Sequence, residues 1–79
     1  MSQLMISITF SYQHYVEDLS IPNYWSVEQL MRELSLIFHF DVPISYHLLI
    51  KNKQLLLSSQ DQLNQYPISN GDIFSILEV

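Results

Sequence analysis

The stretch SVEQLMRELSLIF, residues 26–38 of a 79-residue chain, decides how the rest is read. Its apolar residues fall at Val27, Leu30, Met31, Leu34, Ile37 and Phe38, the spacing of one helical face. Ser26 is placed to cap the N-terminus, and Gln29, three residues on, is placed to reach back and complete a capping box. Glu28 and Arg32 stand four apart on the polar side, in the order that favours an ion pair. Pro43 disfavours helix at Val42, so the helix is expected to end around residues 39–41. No second segment of the chain carries this period for as long.

Outward from the helix, both flanks read as strands. Residues 4–12 alternate Leu4, Ile6, Ile8, Phe10 and Tyr12 with Ser7, Thr9 and Ser11, the period-two pattern of a half-buried strand. A hairpin around Gln13 and His14 leads to a return strand with Leu19 and Ile21 inward and Pro22 closing it. After the helix, residues 46–51 and 54–57 read as two strands joined at Asn52-Lys53. Residues 58–71 are polar, with Leu63, Tyr66 and Ile68 as isolated anchors and room for one short helical turn. Gly71, the sole glycine, follows Asn70 where a positive φ is expected. Residues 72–79 read as the last strand.

Strand, strand, helix, strand, strand, irregular segment, strand: a ferredoxin-like domain would need a second full helix, and a small barrel leaves no room for the first. The order predicts an α+β fold of the β-grasp kind, a single domain over residues 1–79. In it a mixed five-stranded sheet packs on one helix, with the first and last strands parallel at its centre.

Composition limits function. Three basic residues, Arg32, Lys51 and Lys53, stand against a net charge of −5, so no basic stripe for nucleic acid can be assembled. An anionic membrane surface is disfavoured by the same charge, and no run approaches the ~20 apolar residues of a membrane span. The N-terminal MSQLMISITF has no basic region and alternates in period two, so it is expected to be structure and not a leader. Without cysteine there is neither a disulfide nor a thiolate metal site, which fits a reducing compartment. A cytoplasmic location is expected.

His14, His39 and His47 invite a metal or catalytic reading, but they lack the spacing of a helical metal pair and have no cysteine partner. His39 is read as a helix-end residue facing the dipole. No serine has a nucleophile-elbow context, and one glycine cannot make a phosphate loop. No catalytic residue, metal or cofactor is expected. Glu17, Asp18, Glu28, Glu33 and Asp61 are read as solvated charge, and Tyr24 and Trp25 as packing at the helix start.

Binding must then be sought on the face of the sheet away from the helix. If Leu48, Ile50, Phe74 and Ile76 point inward, then His47, Leu49 and Lys51, with Ile73, Ser75 and Leu77, point outward. Thr9 and Ser7 share that face on the first strand. Leu49, Leu77, Ile73, Lys51, Lys53 and Thr9 are the candidate partner-binding residues. The apolar middle is the kind of patch that marks a contact surface.

Lys53-Gln54-Leu55 after a strand and Leu63…Tyr66-Pro67-Ile68 before the last one resemble stretches of ubiquitin. ITFSYQHY at the start, DLSIPNYWSVEQLM entering the helix, QLLL, and residues 66–74 (YPISNGDIF) together resemble the YukD/EsaB family. These are bacterial ubiquitin-like proteins of type VII, or WXG-protein, secretion, and the likeness spans nearly the whole chain. It implies that Leu49 and Leu77 fall where ubiquitin carries its hydrophobic recognition patch. It further implies an accessory or regulatory role, exerted by docking on cytoplasmic domains of the machinery's membrane-anchored subunits, such as the secretion ATPase. The same face, or an exposed edge strand, could also pair copies of the chain into a homo-oligomer. Modifiers and sulfur carriers of this fold need a flexible Gly-Gly tail, because the terminal carboxylate must thread a narrow partner site. Leu77-Glu78-Val79 sets the expectation of a protein that is not conjugated. The alternatives are a modifier or sulfur carrier after all, or a β-grasp interaction module outside secretion.

Overall fold

A computed structural model describes residues 4–79. Residues 1–3, included above in the N-terminal reading, lie outside the described residues. The elements follow the expected order: β1 (Met5–Tyr12), β2 (Tyr15–Pro22), α1 (Val27–Phe38), β3 (Tyr46–Ile50), β4 (Leu55–Leu57) and β5 (Asp72–Glu78). Short 3-10 turns occupy Lys51–Lys53 and Leu63–Gln65.

The sheet order is β2-β1-β5-β3-β4. β1 and β5 are parallel at its centre, and β2, β3 and β4 are added in antiparallel pairs. This is the β-grasp, with the helix lying across one face. Its core follows from the two periods. β1 turns Ile6, Ile8, Phe10 and Tyr12 inward, β3 Leu48 and Ile50, and β5 Phe74 and Ile76. The helix answers with Val27, Leu30, Met31 and Leu34. Each of these removes a whole apolar side chain from water, a stabilisation of roughly 1.5–3 kcal/mol per residue before the entropy of ordering it.

The helix start is held more firmly than a capping box alone would manage. Ser26 Oγ accepts from Gln29 N at 3.1 Å, the expected half of the box. Val27 N donates to Asp61 O and Glu28 N to Ser59 O, each at 2.9 Å. The first-turn N–H groups, which a helix cannot satisfy internally, thus find carbonyls of the 58–63 segment. Asp61, read above as solvated charge, organises that segment. Its carboxylate accepts from Ser58 N at 2.8 Å and Ser58 Oγ at 3.1 Å. Those bonds, the Ser58 N–H first among them, hold its carboxyl below the usual range.

Several boundaries differ from the sequence reading. β1 begins at Met5, and Leu4 is 59% exposed although it continues the alternation. Ile37 is also exposed. At about 100° per residue it lies at the edge of the apolar stripe, in the last turn. Lys51 is not in a strand: the chain leaves β3 at Ile50 and enters a 3-10 turn through Lys53, and β4 starts at Leu55.

The helix stops at Phe38 because His39 turns left-handed at φ 58°, its N–H bonded to Ser35 O, with Phe40 N closing on the same carbonyl at 3.3 Å. Pro43 plays no direct part in that stop. Gln13 and Gln54 also sit at φ 55°, at the β1–β2 turn and after the 3-10 turn. A β-carbon in this region costs roughly 1–2 kcal/mol. His39→Gly is therefore expected to stabilise the fold by about 0.5–1 kcal/mol, net of glycine's larger unfolded-state entropy. A urea midpoint that falls instead would show that the imidazole contributes to the helix end, as the dipole reading holds.

Candidate functional site

The register places the outward residues. Thr9 of β1 lies beside Ile73 of β5, Leu49 of β3 lies opposite Ser75, and His47 opposite Leu77. Leu49 is the centre of the group. Leu56 of β4 stands directly across from it, close enough for side-chain contact, while Ile73 and Leu77 are its diagonal neighbours at roughly 7–8 Å. Leu77 is 45% exposed and Leu56 50%, and Leu49 and Ile73 are half-buried by their neighbours. The ambiguity of β5, with large apolar residues at both parities, is resolved by the buried Phe74 and Ile76.

Leu56 is absent from the sequence-derived candidates. In the run Leu55-Leu56-Leu57 the pattern has no polar residue to mark which leucine faces out, and only the pairing with Leu49 decides it.

The two lysines part company. Lys51 is exposed, in the 3-10 turn just beyond the end of β3. Lys53 is turned away into an ion pair with Asp72, Nζ to Oδ2 at 2.9 Å. Its Nζ also donates to Ser69 Oγ at 3.0 Å and to the carbonyl of Pro67. The two candidate lysines thus share the 3-10 turn between β3 and β4 but differ in what they contact. Lys53 is engaged by the molecule's own turn.

Asp72, read above only as the first residue of the last strand, is the anchor there, with only 2% of its surface exposed. Asn52 Nδ2 donates to its Oδ1 at 2.8 Å and Ser69 N to its Oδ2 at 2.9 Å. Asn52 Oδ1 in turn accepts from Ile73 N at 2.9 Å, so the β3–β4 turn is tied to the start of β5. Burial opposes ionisation of this carboxyl. The bonds from Asn52, Ser69 and Lys53 outweigh it and hold the group below the usual carboxylate range. Gly71, at φ 90°, completes the turn, and its N–H donates to Ser7 O at 2.8 Å.

At the other end of the sheet the Tyr12 hydroxyl donates to Glu78 Oε1, joining β1 to the end of β5. That bond first, and then burial, raises the phenol above its ordinary range. His14 packs on Tyr15 in the hairpin, His39 ends the helix and His47 lies on β3. No group of three or more potential metal ligands occurs among the described residues. No helix among them is long and apolar enough to cross a membrane.

Leucines on the outer face of a five-stranded β-grasp can now be set beside known proteins. A family model described as YukD of the WXG100 protein secretion system matches residues 5–76. The chain belongs to the YukD family. It is thus a ubiquitin-like protein of WXG100 secretion, and both this family and the fold are generally non-catalytic.

Solved structures agree on the fold. A structure described as molecular mimicry of SUMO that promotes DNA repair is 17% identical at a TM-score of 0.81, covering 98% of this chain and 95% of that one. Ubiquitin of Caldiarchaeum subterraneum is 14% identical at 0.73, covering 95% and 94%. The ubiquitin-like domain of Plasmodium falciparum Dsk2 is 17% identical at 0.70, covering 95% and 99%. No curated protein matches the chain significantly. At these identities the structures establish the ubiquitin-like fold of this YukD protein and nothing of its partners.

Proposed function

We propose that this YukD protein acts as a docking accessory of WXG100 secretion, reversibly engaging another component through the outer face of its sheet. The observation that carries the reading is the contiguous group of Leu49, Leu56, Ile73 and Leu77. Four apolar side chains are gathered on the side of the sheet opposite the core, with the exposed Lys51 just beyond the end of β3. A surface of this kind loses free energy in water and gains it when a complementary apolar surface covers it. The partner is a cytoplasmic domain of a membrane-anchored secretion subunit, the secretion ATPase foremost, and the protein itself resides in the cytoplasm. The whole chain acts as one domain, with no chemistry at the interface and no cofactor.

The test is a binding titration of the purified chain against the cytoplasmic portion of the secretion ATPase from the same cells. Micromolar binding is expected, weakened at least roughly tenfold by Leu49→Asp, since an aspartate at the centre of an apolar contact costs well over 1.4 kcal/mol. Equal binding by the folded variant would remove the leucine face from the interface.

A further inference from the structure

On the same outer face, away from the leucines, lies a hollow of about 270 Å³ lined by Ser7, Ile8, Thr9, Asp18 and Gly71. Its construction is specific. Thr9 and Asp18 are partners across β1 and β2, and Thr9 Oγ1 donates to Asp18 Oδ1 at 2.8 Å, fixing the carboxylate at the rim. The wall is tied down by Gly71 N to Ser7 O at 2.8 Å and Asn70 Oδ1 accepting from Ser7 N at 2.9 Å. A β-carbon on Gly71 would meet nothing within 4 Å, so the turn leaves this side of the hollow open.

The lining is one-sided in charge. Asp18 has no cationic partner among the described residues. Of the chain's three basic side chains, Arg32 is paired with Glu28 at 3.4 Å and Lys53 with Asp72. The space is smaller than the roughly 300–1,000 Å³ of a small-molecule site. A single carboxylate is too little for a hard metal ion, which takes six or more oxygens. What suits one oriented carboxylate beside hydroxyls is a planar cation with several donors.

We propose that this hollow is a subsite for an arginine side chain of the protein that docks on the face, its guanidinium bonding Asp18 and the Ser7 hydroxyl. The inference rests on the docking reading for its partner, not for its geometry. By strand spacing and rise, Thr9 and Leu49 are about 12 Å apart on the sheet. The partner therefore carries its arginine about that far from the apolar group that covers the leucines. The subsite gives the leucine contact an orientation, because a patch of leucines alone is satisfied in many poses.

The test uses the whole chain and N-acetyl-arginine methylamide as probe, followed by amide chemical-shift mapping, with the neutral citrulline analogue as control. Saturable millimolar shifts are expected at Ser7, Thr9, Asp18 and Gly71, weakened roughly fivefold by Asp18→Asn and absent with citrulline. The carboxamide of Asp18→Asn would retain an oxygen for Thr9, so the variant should keep its fold. Shifts that do not saturate, that spread evenly over the other carboxylates, or that are unchanged in Asp18→Asn overturn the subsite. Repeating the titration on Leu49→Asp/Leu77→Asp separates the two readings. Retained arginine binding there supports a hollow that stands apart from the leucine face, even where the secretion ATPase does not bind. Loss of arginine binding in that folded variant, with Asp18 untouched, places the probe on the leucines and overturns the subsite.

Discussion

Replacing Leu49 and Leu77 together by aspartate is expected to abolish export of WXG100-type substrates while the protein stays folded. The two leucines are diagonal neighbours on β3 and β5, and neither contributes to the core beneath the sheet. Truncating them opens no cavity. The cost is that of a poor strand former on a half-exposed surface, about 1–2 kcal/mol in all, within the usual margin of a small fold. Two carboxylates in the middle of the proposed contact surface, however, must be buried without partners whenever a protein covers it. The matched control is Leu36→Asp/Ile37→Asp. It adds the same charge at exposed positions on the helix and is expected to leave export unchanged. Secreted-substrate blots, with circular dichroism melts of each variant, decide the matter. Export at the normal level in the folded sheet variant would end the assignment of this face.

Asp72→Ala is expected to lower stability by about 2–4 kcal/mol, because it strips Lys53, Asn52 and the Ser69 N–H of one shared acceptor in a buried position. Lys53, partly exposed, can turn to water; Asn52 and the turn backbone cannot do so without loosening the start of β5. The pH dependence has a definite sign. Asp72 is held below its unfolded carboxyl value, so its contribution is complete above about pH 4. It is lost as the pH falls through the depressed folded value. Urea unfolding across an acid series should therefore show a large gap between the protein and Asp72→Asn at pH 7, narrowing progressively as the pH falls below about 4. Equal stabilities at pH 7 would mean the cluster contributes nothing beyond filling space.

The helix, the alternation of β1 and the left-handed need at Gly71 were legible because each is dictated by neighbours within a few residues: period, cap and turn chemistry act locally. The order of these elements was enough to reach the β-grasp, while the resemblance to YukD proteins lay in particular stretches such as DLSIPNYWSVEQLM and YPISNGDIF. The Leu49–Leu77 grouping was half legible, since it followed from assuming inward Leu48, Ile50, Phe74 and Ile76.

Tertiary structure decided what the long-range register controls. Whether Leu55, Leu56 or Leu57 faces out is undetermined in an all-leucine run until β4 is set against β3. Lys51 and Lys53, equivalent cations on paper, diverge because one meets a buried carboxylate 19 residues further along the chain and the other meets solvent. Asp18 gains its orientation only when the hairpin brings it to Thr9. The residues alone thus determined which elements form and which of their faces are apolar. The fold determined which charges are consumed internally and which stay exposed, because a charge's availability depends on what lies within a few ångströms in space.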